Sequence, residues 1–446
     1  MIISFLKSGH RFTFIMTLCL FGLCIAQVLP AQRNKKKTQK KDRVELLHAD
    51  ELRYDLYGPN PEAQILKGHV SFRHQGARLT CDSAYFYEAD NSMQAFGHVR
   101  FRQGDTLSLV ADRADYDGQE QVMRARKNVV LKHRRQVLRT DSLDYDRLYK
   151  NAYFFEGGTL IDGKDRLVSD WGEYNTETRQ AVFYYNVKLK SPERLVTTDT
   201  LHYDTKKSIA HVLGPSKITT KSSVVETKDA FFHTKSDQAQ LYGRSTIVDG
   251  EKTITGDSLF YDSRTGDSHG NGNVVFVDKK NRNSLLANYL QYNEKTGQGV
   301  ATDSALVIDY SQKDTLYMHG DTLKLFTFHI DTDSMYRKVH AYHKVRVYRK
   351  DLQAVCDSLV FSTEDSCMTM YQDPIVWNNN RQLLGEQIHL YMNDSTIREA
   401  HVIGQALSIE QADQNDHYNQ LSSKEMHAYF TDGNIRRTVA VSNVLS

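Results

Sequence analysis

The side chains most able to do chemistry are aspartates that return at near-constant spacing. Asp50, Asp82, Asp112, Asp141, Asp170, Asp199, Asp229 and Asp257 are separated by 32, 30, 29, 29, 29, 30 and 28 residues. An acid–base pair needs one or two carboxylates in unlike environments within a single cleft, whereas a carboxylate copied this often describes a scaffold. Each Asp should sit at a bend before a strand and accept backbone N–H bonds, because an unpaired buried carboxylate is costly. Cys81, Cys356 and Cys367 are an odd set once Cys19 and Cys24 are assigned to an export segment, so they provide no disulfide framework. His340 and His343 form the closest pair of imidazoles and read as exposed residues on a polar strand, not as a zinc site. There is no nucleophile elbow, phosphate-binding loop or Cys-x-x-Cys. No catalytic residue, metal or cofactor is therefore expected.

The element around each Asp explains the spacing. Two places after it comes an apolar residue and four places after it an aromatic one: Leu52 and Tyr54, Ala84 and Phe86, Leu143 and Tyr145, Leu201 and Tyr203, Leu259 and Tyr261, with Tyr116 and Tyr174 at the fourth place of their copies. About fifteen residues on, a second alternating element brings Val70 and Phe72, Val99 and Phe101, Val129 and Leu131, Val187 and Leu189, Val274 and Phe276. Looser copies continue through Asn288, Asp321, Asp357, Glu386 and Glu425, about thirteen in all. In the copy at Asp229 the fourth place is His233, and the stretch from Phe326 to Arg346 carries an insertion that starts its second strand near Lys344. Helical periodicity is absent. Two-strand units cannot bury an apolar face alone, so they must stack into an elongated, all-β solenoid or rolled sheet. With about 26 strands shared between two facing sheets, its length would be on the order of 60 Å.

Charge separates the rest of the chain. Lys7 and Arg11 precede an uncharged apolar run from Phe12 to Ala26, which reads as a secretory signal peptide over residues 1–26, with cleavage after Ala26 or Ala31. Residues 27–44 carry seven basic groups against Asp42 and read as a flexible basic linker. The formal charge of +2 thus conceals a repeat body with 48 basic and 54 acidic side chains, which argues against nucleic acid as a partner. No window after the signal is long and apolar enough for a membrane helix.

The unit seen intact as Ala111-Asp112-Arg113-Ala114-Asp115-Tyr116-Asp117, followed by a Gly-x-Val strand as in Gly97-His98-Val99, resembles the OstA/LptA-like family of periplasmic lipopolysaccharide-transport proteins. The resemblance covers nearly all of residues 45–446 and is most faithful over 45–275. It implies an antiparallel β-jellyroll, or β-taco, folded into a V: a non-enzymatic bridge carrying lipopolysaccharide or a related glycolipid toward the outer membrane, acyl chains inside the V and sugars in water. On this chain the second- and fourth-place residues and the Val/Leu/Phe pairs named above would line the groove. Partners would be the lipid and other jellyrolls of the export bridge, docked strand edge to strand edge, or further copies of this chain. Residues 45–310 would form the jellyroll proper and 311–446 a degenerate continuation or second lobe. The last copy stops at Ala440–Ser446 within its second strand, leaving a free edge or marking a shortened chain. An exported structural or adhesive solenoid with a closed core uses the same inward residues, and a β-helix enzyme acting on polysaccharide would need an acid cluster that breaks the repeat.

Overall fold

The computed structural model describes residues 43–446 except 237, 331, 394–395, 413–416 and 432–433. The export segment and all but the last two residues of the basic stretch lie outside the described residues. The described residues form 31 strands joined in one antiparallel sheet, as the all-β expectation requires. Ten short strands are the halves of five interrupted ones, such as Asn151–Phe154 with Gly158–Asp162, so the sheet has 26 rungs.

Each full strand is bent once. In Ala77–Tyr87 the buried residues are Ala77, Leu79 and Cys81, then Ala84 and Phe86; in Ser92–Gln103 they are Met93 and Ala95, then Val99 and Phe101. The inward parity flips where the register shifts, between Thr80 and Ser83 on one strand and Phe96 and Arg100 on its partner. A bulge at the same height in strand after strand creases the sheet into two half-sheets whose inner faces oppose each other. The sequence reading took the half after the crease for the whole strand: Gly68–Phe72 is part of Gln64–His74. Because every strand crosses both half-sheets, 26 rungs at about 4.8 Å give a body about 120 Å long, twice the expected length.

The aspartates stand at the crease, with a different partner from the one expected. Asp82 bonds the His98 ring at 2.7 Å, while Asp112, Asp170 and Asp257 bond the side-chain amides of Asn128, Asn186 and Asn273 at 2.7, 2.6 and 2.9 Å. These His and Asn residues hold positive φ at the bulge of the neighbouring strand, which aims their side chains at the Asp. A backbone N–H does donate at Asp141, from Asn128 at 3.2 Å. Before His98, Gly97 has φ 74°, and a Cβ there would stand 2.3 Å from the Asp82 carboxylate.

Three repeat assignments shift. In the copies at Asp229 and Glu425 the inward residues fall one place early, at Ala230 and Phe232 and at Met426 and Ala428, so Phe231 is outside and 40% exposed. Asp229 pairs with Leu213, as Thr200 does, which puts Lys228 in the usual Asp slot. The insertion lengthens one hairpin, Leu316–Phe328 with Tyr336–Arg349; His343 and Lys344 are that strand's crease, not its start. The apolar core forms two clusters, one from Val44 to Leu259 and one from Ala287 to Ala428.

Candidate apolar groove

Whether the interior can take a guest depends on the mouth, the long side opposite the crease where the hairpin turns of both half-sheets meet. Between His74 and Thr205 the mouth is stitched shut. His74 Nδ1 lies 2.7 Å from the Tyr116 hydroxyl and His133 Nδ1 lies 2.8 Å from that of Tyr174, each pair joining opposite half-sheets. At the third such place Asp162 replaces His and accepts from the Tyr203 hydroxyl at 3.1 Å. Arginines reinforce the seam. Arg147 donates to the Tyr116 hydroxyl at 2.6 Å and to the Gln75 carbonyl at 3.3 Å, and Arg135 meets Asp162 at 2.6 Å. Burial holds His133 below the ordinary histidine range, with the positive charges of Arg134 and Arg179 acting in the same direction. Burial, aided by the Asp162 charge, pushes the Tyr203 hydroxyl far above its usual value.

Behind this seam the interior is full. Of the residues expected to line a groove, all those from Val70 to Tyr203, together with Leu259 and Val274, are 5% exposed or less. Phe72, Phe101, Tyr116 and Arg147 bound a space of about 10 Å³, room for about one water. Leu52 and Tyr54 depart from the expectation in the other direction. Leu52 pairs with buried Leu66 and so faces inward, but Leu52 and Tyr54 stand on the first rung with no strand beyond among the described residues, and are 54% and 57% exposed. They bound no enclosed space.

Between the two clusters the interior changes character. Strands Lys252–Asp262, Asp267–Asp278, Asn283–Asn293 and Gln298–Asp309 turn Gly256, Ser268, Gly270, Ala287, Gly299, Ala301 and Ala305 inward. Such short side chains do not reach the facing half-sheet. Their larger inward neighbours, Ile254, Tyr261, Phe276, Leu285, Leu290 and Val307, are accordingly half-buried, and Tyr292 is 38% exposed. The polar groups along this mouth bond within their own half-sheet. Gln238 donates to Asp262 at 2.6 Å, Asn293 to Asp267 at 2.7 Å, Asn281 to Asp278 at 2.8 Å and the Tyr261 hydroxyl to Glu294 at 3.3 Å. These bonds hold Asp262 and Asp267 below the usual carboxylate range, so the lip is anionic around neutral pH.

Sequence reasoning named Tyr261 and Phe276 in this stretch but missed Ile254, Leu285, Leu290 and Val307. The available signal was small residues at inward parity, two or more rungs in a row. His340 and His343 do not come together: His340 packs on Phe326 and bonds Tyr342, while His343 stands at the crease 3.4 Å from Asp357.

The family model described as OstA-like protein matches residues 41–199. No curated protein matches the chain. Among solved structures it is similar to LptH of Pseudomonas aeruginosa, the LptA-homologous periplasmic component of a conserved lipopolysaccharide transport device. Identity is 17%, over 27% of this chain and 81% of that one, with a TM-score of 0.23. Over residues 41–199 this chain is thus similar to OstA-like proteins.

Proposed function

We propose that the protein is a non-enzymatic periplasmic carrier of lipopolysaccharide or a similar glycolipid, and that acyl chains lodge between the two packed clusters. The supporting observation is the run of half-buried inward apolar residues from Ile254 to Val307, continuous over four rungs and opening on a polar lip. From the rung ending at Asp249 to the one starting at Leu316, five spacings span about 24 Å, enough for a long acyl chain lying along the body axis. Each methylene moved from water onto this surface contributes about 0.8 kcal/mol, and an even stripe holds the chain without one deep trap. The OstA-like match over residues 41–199 supports the same direction of function. Docking to other jellyrolls through free sheet edges belongs to this reading.

The closed solenoid remains the competing reading, favoured by the stitched mouth and filled interior between His74 and Thr205. Photo-crosslinking in cells separates the two. A crosslinker at inward Phe276 or Leu285 should capture lipopolysaccharide, and one at outward Val275 or Leu286 should not. Equal labelling on both faces, or unchanged outer-membrane lipid after depletion of the protein, would leave the closed solenoid as the better account.

A further inference from the structure

On the outer face of the carboxyl-terminal rungs three imidazoles stand in one row. His389, His401 and His427 occupy adjacent strands Gln387–Met392, Ile397–Gln411 and Tyr418–Thr431, each directly opposite the next. Cross-strand partners on one face stand about 5 Å apart at Cβ, within reach of a shared ligand. Glu399, two places before His401, points the same way, and its Oε1 lies 2.5 Å from His401 Nε2. The rings of His401 and His427 are 4.2 Å apart between centroids at 62°. One donor atom each from Glu399, His401 and His427 falls within 4.8 Å of the others, and all three residues are half-buried.

We propose that Glu399, His401 and His427 form a site for a divalent transition-metal ion of borderline softness, such as zinc. Two neutral imidazoles and one carboxylate are a donor set such ions prefer, and three protein ligands leave a fourth position for water or an exogenous donor. Bonds of about 2.0–2.2 Å place tetrahedral donors about 3.3 Å apart, so the trio contracts onto an ion by side-chain rotation alone. Tyr391 walls one side, its ring 5.1 Å from that of His401. His389 is held by Thr369 at 3.1 Å and Gln387 at 2.9 Å, and stands beside the site rather than in it. An ion pair between Glu399 and His401 accounts for two of the three groups but gives His427 no role. The inference is independent of lipid carriage.

The test is calorimetric titration of the full chain, prepared without a histidine tag and stripped by chelator, with zinc chloride at pH 7.5. One equivalent should bind saturably, and cobalt should give tetrahedral visible bands at the same stoichiometry. His427→Gln and Glu399→Gln should each weaken zinc roughly tenfold or more. His269→Gln, which alters a distant outer-face histidine stacked on Phe260, should not change it. Lowering the pH to 5.5 should weaken binding as protons compete for the imidazoles. Far-UV circular dichroism verifies that each variant keeps its sheet. Absence of one-equivalent binding, or equal affinity in the folded wild type and the His401→Ala, His427→Gln double variant, overturns the proposal.

Discussion

The Tyr174 hydroxyl and His133 Nδ1 meet at 2.8 Å across the mouth of the fold from positions 41 residues apart, and Tyr116 stands to His74 in the same relation 42 residues apart. The repeat's fourth-place tyrosine is therefore a clasp as well as a core residue. Tyr174→Phe should leave the buried His133 nitrogen without its partner, at a cost of about 1–3 kcal/mol. Cooperativity in stacked repeats is mostly between neighbours, so the loss should stay local. Hydrogen exchange should quicken in Val122–His133 and Trp171–Asn175 and stay unchanged in Leu352–Ser362. Unaltered exchange near the clasp would show that packing alone keeps the mouth shut.

The same pair gives a pH dependence with a defined sign. Burial lowers the pKa of His133, so the folded chain resists a proton that the unfolded chain takes up near pH 6.5. The stability due to neutral His133 is complete above about pH 6.5 and is lost as the pH falls from there toward the lowered folded value. The melting temperature should thus fall between pH 7.5 and 5.5, and His133→Gln should fall less over that interval. His202, His340 and His389 are lowered by burial as well, so some slope should persist. An identical slope in the variant would remove His133 from the account.

Two glycines separate the crease from an ordinary turn. Gly76 and Gly97 both hold positive φ, 76° and 74°, but a Cβ meets nothing within 4 Å at Gly76 and meets the Asp82 carboxylate at 2.3 Å at Gly97. Gly76→Ala should cost only the left-handed backbone penalty, about 1–2 kcal/mol. Gly97→Ala should cost clearly more, and Asp82→Ala in that background should recover part of the difference. Equal denaturant midpoints for the two single variants would contradict this use of the recurring Asp.

Legibility in the sequence followed chemistry. The crease and the half-strand after it carry Asp, Gly, Asn and an aromatic at fixed offsets, so the repeat, its direction and its two-face alternation could be read. The half-strand before the crease, with Leu79, Leu107 or Met123, carries only apolar alternation and no polar marker, and the body came out at half its length. The clasps were hidden because their partners differ in type, His74, His133 and Asp162, and lie more than one repeat away from their tyrosines. The inward glycines Gly256, Gly270 and Gly299 carry no apolar signal, so the thin stretch of interior did not stand out. The Glu399, His401 and His427 cluster is assembled by the pairing of two strands that pass the crease between its members, which sequence spacing does not display.

The free thiols offer a check on closure at both ends of the chain. Burial pushes Cys81 and Cys356 up to about 12 and raises Cys367 as well. None should react with a thiol reagent at pH 8 in the native protein, and all three should react after unfolding. Rapid native labelling at Cys81 would show that the stitched segment opens readily.

The half-buried stretch between the two packed clusters offers a direct test of lipid carriage. Ser268 faces inward between Tyr261 and Tyr292 on the neighbouring rungs, half-buried, with its hydroxyl bonded to the Tyr292 carbonyl at 2.9 Å. Ser268→Phe places a ring beside half-buried Tyr261 and 38%-exposed Tyr292, where the inward side chains are only partly covered. The overpacking penalty of about 1–3 kcal/mol seen in full cores should not arise. Ser268→Ala removes the same hydrogen bond and leaves the space. If acyl chains use this stretch, Ser268→Phe should sharply reduce capture of lipopolysaccharide by a crosslinker at Phe276, while Ser268→Ala captures as the parent does and both variants melt within a few degrees of it. Equal capture in the two variants would mean that lipid, if it binds, does so elsewhere on the body.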